Sequence, residues 1–190
     1  MKPINFILIL AISIIALSCT PDEFTLNKKT PGQIDGLIMT SLESVDQYAD
    51  NAIILNENGL AAMRRYGLTQ FIGDFTVKIQ QGEGVRFSIR SACNEYDNHP
   101  VINFDYTTKG CIFSGTGLKE FLVDSVKALR NSPSRIKIYN LGKNITVTVN
   151  CDTVYNTKTE LPATEFIMVK SLNNSRIQLS GISFEEFEDK

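Results

Sequence analysis

From Phe75 to Arg90 apolar and polar side chains alternate one for one across two runs. Phe75, Val77 and Ile79 interleave with Thr76, Lys78 and Gln80; after Gln81-Gly82-Glu83-Gly84, Val85, Phe87 and Ile89 interleave with Arg86, Ser88 and Arg90. A period of two puts every second side chain on the same face of an extended chain, so each run reads as a strand with one buried and one wetted face. The glycines between them predict a turn, and the two runs read as a β-hairpin.

The same signature recurs at short intervals. Strands are expected over Val101 to Tyr106, Gly110 to Ser114, Arg135 to Leu141, Lys143 to Asn150, Glu165 to Ser171 and Arg176 to Phe187, with turns at Thr108-Lys109-Gly110, Leu141-Gly142-Lys143-Asn144 and Asn173-Asn174. One segment departs from the pattern. Leu118, Phe121, Leu122, Val126 and Leu129 fall near helical spacing with Pro133 placed to stop the run, which predicts a short helix over Leu118 to Arg130. Ser41 to Asp50 is ambiguous, and so is Gly59 to Tyr66, where Ala61, Ala62, Met63 and Arg64 favour helix and the flanking glycines allow an edge strand. The expected class is mainly β: a two-sheet antiparallel β-sandwich with one short helix.

Ahead of this domain Lys2 is followed by a run from Ile4 to Leu17 that is apolar except for Asn5 and Ser13, closed by Ala16-Leu17-Ser18-Cys19. Such a segment reads as a cleaved export signal, too short to span a bilayer comfortably. The placement of Cys19 resembles the lipobox of bacterial lipoproteins. That resemblance implies cleavage before Cys19, a lipidated (palmitate-type) N-terminus and attachment to the outer membrane of the cell envelope. Asp22 and Glu23 behind the cysteine resemble surface-export signals. The expected organisation is a signal peptide over 1–18, a lipidated tether over 19–33 with two prolines, a glycine, two lysines and few large apolar residues, and a sandwich domain over 34–190.

Composition narrows the partners. The formal net charge is −2, which gives no basic footprint for nucleic acid. Four cysteines are present. With Cys19 assigned to lipid, an oxidising compartment allows a disulfide between Cys93 and Cys111 and leaves Cys151 unpaired. A zinc site is not expected, because no cysteines are spaced C-x-x-C and His99 is the only histidine. No phosphate loop or nucleophile elbow occurs, and no cofactor or metal is implied.

Gly73-Asp74-Phe75-Thr76-Val77-Lys78-Ile79 with Gly84-Val85-Arg86-Phe87-Ser88-Ile89-Arg90 is similar to an early strand pair of concanavalin A-like jelly-roll domains. The segments Ile138 to Val147 and Asn174 to Phe184 resemble later strands of the same family. The resemblance implies a jelly roll of the kind used by lectins, carbohydrate-binding modules and glycosidases, and is topological rather than catalytic. The paired-acid strand motif of the hydrolase branch is missing. Glu185, Glu186, Glu188 and Asp189 form an acidic cluster that reads as a solvated tail.

Ligand-binding candidates come from the polar faces. Arg86 and Arg90 share one strand with Ser88 between them, and Lys78 is expected on the neighbouring strand, so the face could hold a carboxylate or sulfate. The chain has no tryptophan, so tyrosines such as Tyr106 and Tyr139 would have to supply any stacking platform. In the loop Asn94 to Pro100, Asp97 and Asn98 with the nearby Asp105 offer oxygen ligands without calcium-loop spacing, and His99 could act as a general acid or base. No catalytic residue emerges. The expectation is a membrane-anchored surface lipoprotein that binds a glycan or a surface protein without catalysis. A glycoside-active enzyme and a docking subunit of a surface complex are the alternatives.

Overall fold

The computed structural model describes residues 37–39, 45–49, 52–64, 70–91, 101–162, 164 and 166–186. The signal segment, the tether, Cys19, Cys93 and the His99 loop lie outside them. In chain order the strands are β1 (Leu37–Met39), β2 (Val45–Ala49), β3 (Ala52–Leu55), β4 (Leu60–Arg64), β5 (Phe71–Gln81), β6 (Gly84–Ser91) and β7 (Ile102–Thr107). Then come β8 (Cys111–Gly115), β9 (Leu118–Val123), β10 (Pro133–Leu141), β11 (Asn144–Val149), β12 (Asp152–Lys158), β13 (Phe166–Ser171) and β14 (Arg176–Glu186). They form two antiparallel seven-stranded sheets, a front sheet ordered β1-β4-β13-β6-β7-β8-β9 and a back sheet ordered β12-β11-β10-β5-β14-β3-β2. The β-sandwich expected from the alternation is therefore the fold.

The interior lies between the sheets, and the period-two residues meet there. Phe75, Val77 and Ile79 of the back sheet and Val85, Phe87 and Ile89 of the front sheet are all buried. A ladder of rings crosses the front sheet: Phe87 to Phe104 at 6.0 Å, Phe104 to Phe113 at 4.9 Å and Phe113 to Phe121 at 5.2 Å. Tyr155 of β12 closes it from the opposite sheet, stacked on Phe113 at 4.3 Å. Offset ring stacks of this kind add to the area they bury.

Two expectations are corrected. The runs around Gly82 do not form a hairpin, because β5 pairs with β10 and β14 while β6 pairs with β13 and β7. The chain crosses the sandwich at the turn, where Gly82 takes φ +85° and the Ser175 hydroxyl accepts the N–H groups of Glu83 and Gly84 at 2.8 and 3.0 Å. Alternation specifies which face is buried, and it is the same for a strand paired alongside and a strand packed opposite. Lys78 consequently faces away from Arg86, on the outside of the back sheet, opposite Gln178.

The helix over Leu118 to Arg130 is not formed either. Residues 118–123 are β9, with Phe121 opposite Phe113 and Val123 opposite Cys111, and the chain then runs as a loop to Pro133. A helix would have buried Leu122 and Leu129, which are 54% and 65% exposed. The ring ladder and the edge pairing outweigh the weak helical spacing. The ambiguous segments resolve as β2 and β4. Strands β1, β3 and β12 carry no clear alternation; in β12 a register shift opposite Val147 and Thr148 turns the successive residues Val154 and Tyr155 both inward.

Cys111 is a free, fully buried thiol; Cys93, expected as its disulfide partner, lies outside the described residues. The Cys111 Sγ–H donates to the Val126 carbonyl at 3.3 Å. It lies opposite Tyr106, itself opposite Val85. Desolvation pushes the thiol up to about 12.

Candidate functional site

The antiparallel register lines up one row of side chains across the outer face of the front sheet. Lys170 of β13 stands opposite Arg86 of β6, Arg86 opposite Asp105 of β7, Asp105 opposite Ile112 of β8, and Ile112 opposite Leu122 of β9. Directly opposed side chains on one face are close enough to interact. Arg86 engages Asp105 with both forks, Nε to Oδ1 at 2.6 Å and Nη2 to Oδ2 at 2.7 Å. The Asp105 side chain is 8% exposed and that of Arg86 32%, so the pair is half sunk into the sheet with the guanidinium toward solvent. Planar two-point contact of this kind fixes the arginine's orientation.

Four turns rise around this pair and make a groove of about 380 Å³. Asn58 comes from the β3–β4 turn, Glu83 from the β5–β6 crossing, Thr108 and Lys109 from the β7–β8 turn, and Leu172 and Asn173 from the β13–β14 crossing. The two crossings are tied together by Ser175, which holds the Glu83 and Gly84 backbone, and by the Leu172 N–H bonded to the Gly84 carbonyl at 2.9 Å. Glu83 is held from both sides, by Asn173 Nδ2 at 2.9 Å and Lys109 Nζ at 3.4 Å. These donors, Asn173 first, keep its carboxyl below the usual carboxylate range. In the neighbouring row Ser88 donates to Asn103 at 2.7 Å.

Of the four ligand-binding candidates Arg86, Arg90, Tyr106 and Tyr139, the groove contains Arg86 and excludes the other three. Arg90 takes φ +64° where the register of β13 against β6 shifts. The bulge rotates its side chain out of the polar row. It is 2% exposed and donates to the Leu161 carbonyl at 2.7 Å and to the carbonyl of Gly142 in the back sheet's β10–β11 turn. It thus clasps the two sheets together, and its burial lowers its pKa. Tyr106 is also 2% exposed; it faces the interior, where its hydroxyl meets Ser134 at 2.7 Å. Tyr139 is half-buried on the outside of the back sheet, opposite Thr146 and Ile72. The four candidates do not converge.

Sequence reasoning passed over Glu83, Lys109, Lys170 and Asn173. Three of these sit in turns, where Gly and Asn account for the sequence without invoking a ligand. Asp105, a candidate oxygen ligand by sequence, is engaged in the fold by Arg86. Among the described residues no group of His, Cys, Asp or Glu is arranged to hold a metal. The groove's lining includes no aromatic ring among the described residues. It presents cationic donors, amide groups and ionised acceptors at fixed positions, an arrangement suited to a ligand that offers many hydroxyls.

No protein-family model matches the sequence, and no curated protein matches it. Solved structures do match its shape. A candidate glycosyl hydrolase from Parabacteroides distasonis superimposes with a TM-score of 0.61 at 13% identity, over 78% of this chain and 96% of that one. The carbohydrate binding module CBM66 from Bacillus subtilis gives 0.58 at 13% identity, over 80% and 96%. A Bacillus subtilis protein of unknown function with a galectin-like fold gives 0.59 at 9% identity, over 79% and 88%. At such identities the likeness is one of fold: a jelly-roll, galectin-like sandwich.

Proposed function

We propose that the chain is a glycan-binding protein whose site is the groove around Arg86 and Asp105, and that it binds without catalysis. The observation that carries this reading is the doubly bonded Arg86–Asp105 pair on an outward sheet face, walled by hydrogen-bonding side chains from four turns. Sugars are recognised by such pre-set polar groups, because rotamers already locked by neighbours lose little freedom on binding. The occurrence of this sandwich in a carbohydrate binding module supports the reading at the level of fold.

A hydrolase reading rests on the two carboxylates, Glu83 and Asp105, that line one groove. Glycoside cleavage needs one carboxylic acid protonated at working pH. Glu83 is instead held toward its ionised form by Asn173 and Lys109, and both oxygens of Asp105 already accept from Arg86. Both groups suit acceptance of hydroxyl protons better than donation of one. The reading extends to location: a lipid on Cys19 would hold the domain at the outer membrane, through a tether covering 19–33.

A glycan array probed with the purified protein, alongside hydrolysis assays on the glycans that bind, tests both parts. Binding without turnover, lost in Arg86→Ala and weakened in Glu83→Gln, is the expected result. Turnover that disappears with Glu83→Gln would establish the enzyme reading instead. Intact-mass analysis of the membrane-extracted protein tests the anchor, since an unmodified Cys19 rules it out.

A further inference from the structure

The outward row does not end at the charged pair. Beyond Asp105 it continues into Ile112, which lines the groove, and then into Leu122 on the edge strand β9. Opposed strands lie about 4.8 Å apart, so the two aliphatic side chains extend the polar floor by two steps in the same direction. Leu122 is 54% exposed. It is one of three large apolar side chains left that open among the described residues, and the one on the groove's face; Phe121 belongs to the interior ring ladder and Leu129 to the loop after β9. Its position is built rather than incidental. Gly110 has φ +148°, and a Cβ there would come within 2.8 Å of Leu122 Cδ1 and 2.6 Å of the Val123 carbonyl. The glycine leaves room for the leucine to lie over the β7–β8 turn beside Lys109.

A sugar site usually gains its apolar contact from an aromatic ring, and none lines this groove among the described residues. Aliphatic side chains offer no flat face for a pyranose ring, but they do accommodate a methyl group. We propose, resting on the glycan-binding reading above, that the groove selects a sugar bearing a methyl substituent, a 6-deoxy or N-acetyl group. The hydroxyls are held at Arg86, Glu83 and Asn173, and the methyl is placed against Ile112 and Leu122.

The test compares matched pairs of immobilised sugars, 6-deoxygalactose against galactose and N-acetylglucosamine against glucose, by titration of the full chain. The wild type should prefer the methyl-bearing member of at least one pair by about fourfold or more, the equivalent of ~0.8 kcal/mol for one buried carbon. In Leu122→Ser the preference should fall toward unity, and in Lys119→Ala, an exposed change on the same strand, it should persist. Leu122 is exposed, so its replacement leaves the core intact. Sugar binding that depends on Arg86 but shows no methyl preference, or a preference untouched by Leu122→Ser, overturns this inference and leaves the glycan reading standing. Absence of binding to all four sugars and to a wider glycan array overturns both.

Discussion

The rings of Phe75 in β5 and Phe87 in β6 lie 5.2 Å apart and tilted by 55°, meeting across the sandwich although only a short turn separates their strands. That meeting requires the chain to change sheets at Gly82-Glu83, and the Ser175 hydroxyl satisfies the two N–H groups that the crossing exposes. The same crossing delivers Glu83 to the groove, so core packing and site geometry share one joint.

Ser175→Ala should therefore act on both. Ser175 is 1% exposed, and leaving its buried backbone partner without an acceptor costs about 1–3 kcal/mol. At about 2–4 °C per kcal/mol for a domain of this size, the melting temperature should drop by several degrees in a calorimetric scan. Glycan affinity should fall with it, since Glu83 loses its backbone anchor. An unchanged melting temperature would show that the crossing is held by other contacts.

Arg86→Ala leaves the Asp105 carboxylate nearly buried and unpaired. The expected loss is about 1–3 kcal/mol of stability, read from urea unfolding, together with loss of ligand binding. Arg86→Ala combined with Asp105→Ala should recover part of the stability and none of the binding. A double-mutant cycle separates the two effects. If the losses of the two single variants simply add in the double variant, the pair contributes no coupling to the fold.

The fold was legible where alternation is strict, as in β5, β6 and β10, because burial of one sheet face forces that pattern. Pairing was not, since a turn such as Gln81 to Gly84 reads the same whether it joins neighbours or crosses between sheets. The helix expected at Leu118 to Arg130 failed because the pull on Phe121 comes from Phe113 and Tyr155, residues outside its own segment. Half of the polar row was legible for the same reason. Arg86 obeys the alternation, while Arg90, two residues on, leaves it through a bulge that no local residue announces. Tyr106 follows the pattern inward, and its ring offers a ligand nothing.

The two described free cysteines should behave oppositely. Cys151 is exposed, whereas Cys111 is buried with its thiol pushed up to about 12 from an ordinary 9.0. Pulsed alkylation at pH 8 followed by peptide mapping should label Cys151 quickly and Cys111 only on unfolding. Because the folded-state value is raised, the contribution of Cys111 is fully present below pH 9 and is lost as pH rises from there toward 12. Cys111→Ala should flatten that alkaline limb, although it also costs some packing at all pH values. Rapid labelling of Cys111 in the native state would contradict the burial.

The acid limb should trace to the back sheet. Asp74 accepts from Arg135 Nη2 at 2.5 Å and from its Nε at 2.9 Å, with Lys137 Nζ at 3.5 Å. The Arg135 hydrogen bonds, more than any other cause, lower its pKa below the ordinary 3.8. A depressed carboxyl stabilises the fold above the unfolded value and loses that contribution as pH falls from about 3.8 through the lower folded value. Arg135→Ala moves Asp74 back toward its ordinary value, so the variant should lose less stability than the wild type between pH 5 and 2.5 on urea titration. The difference between the two proteins should be largest near neutral pH and shrink on acidification. It should also shrink in high salt, because Arg135 is largely exposed and the interaction is screened. Parallel acid limbs in the two proteins would mean that other carboxylates set the acid stability.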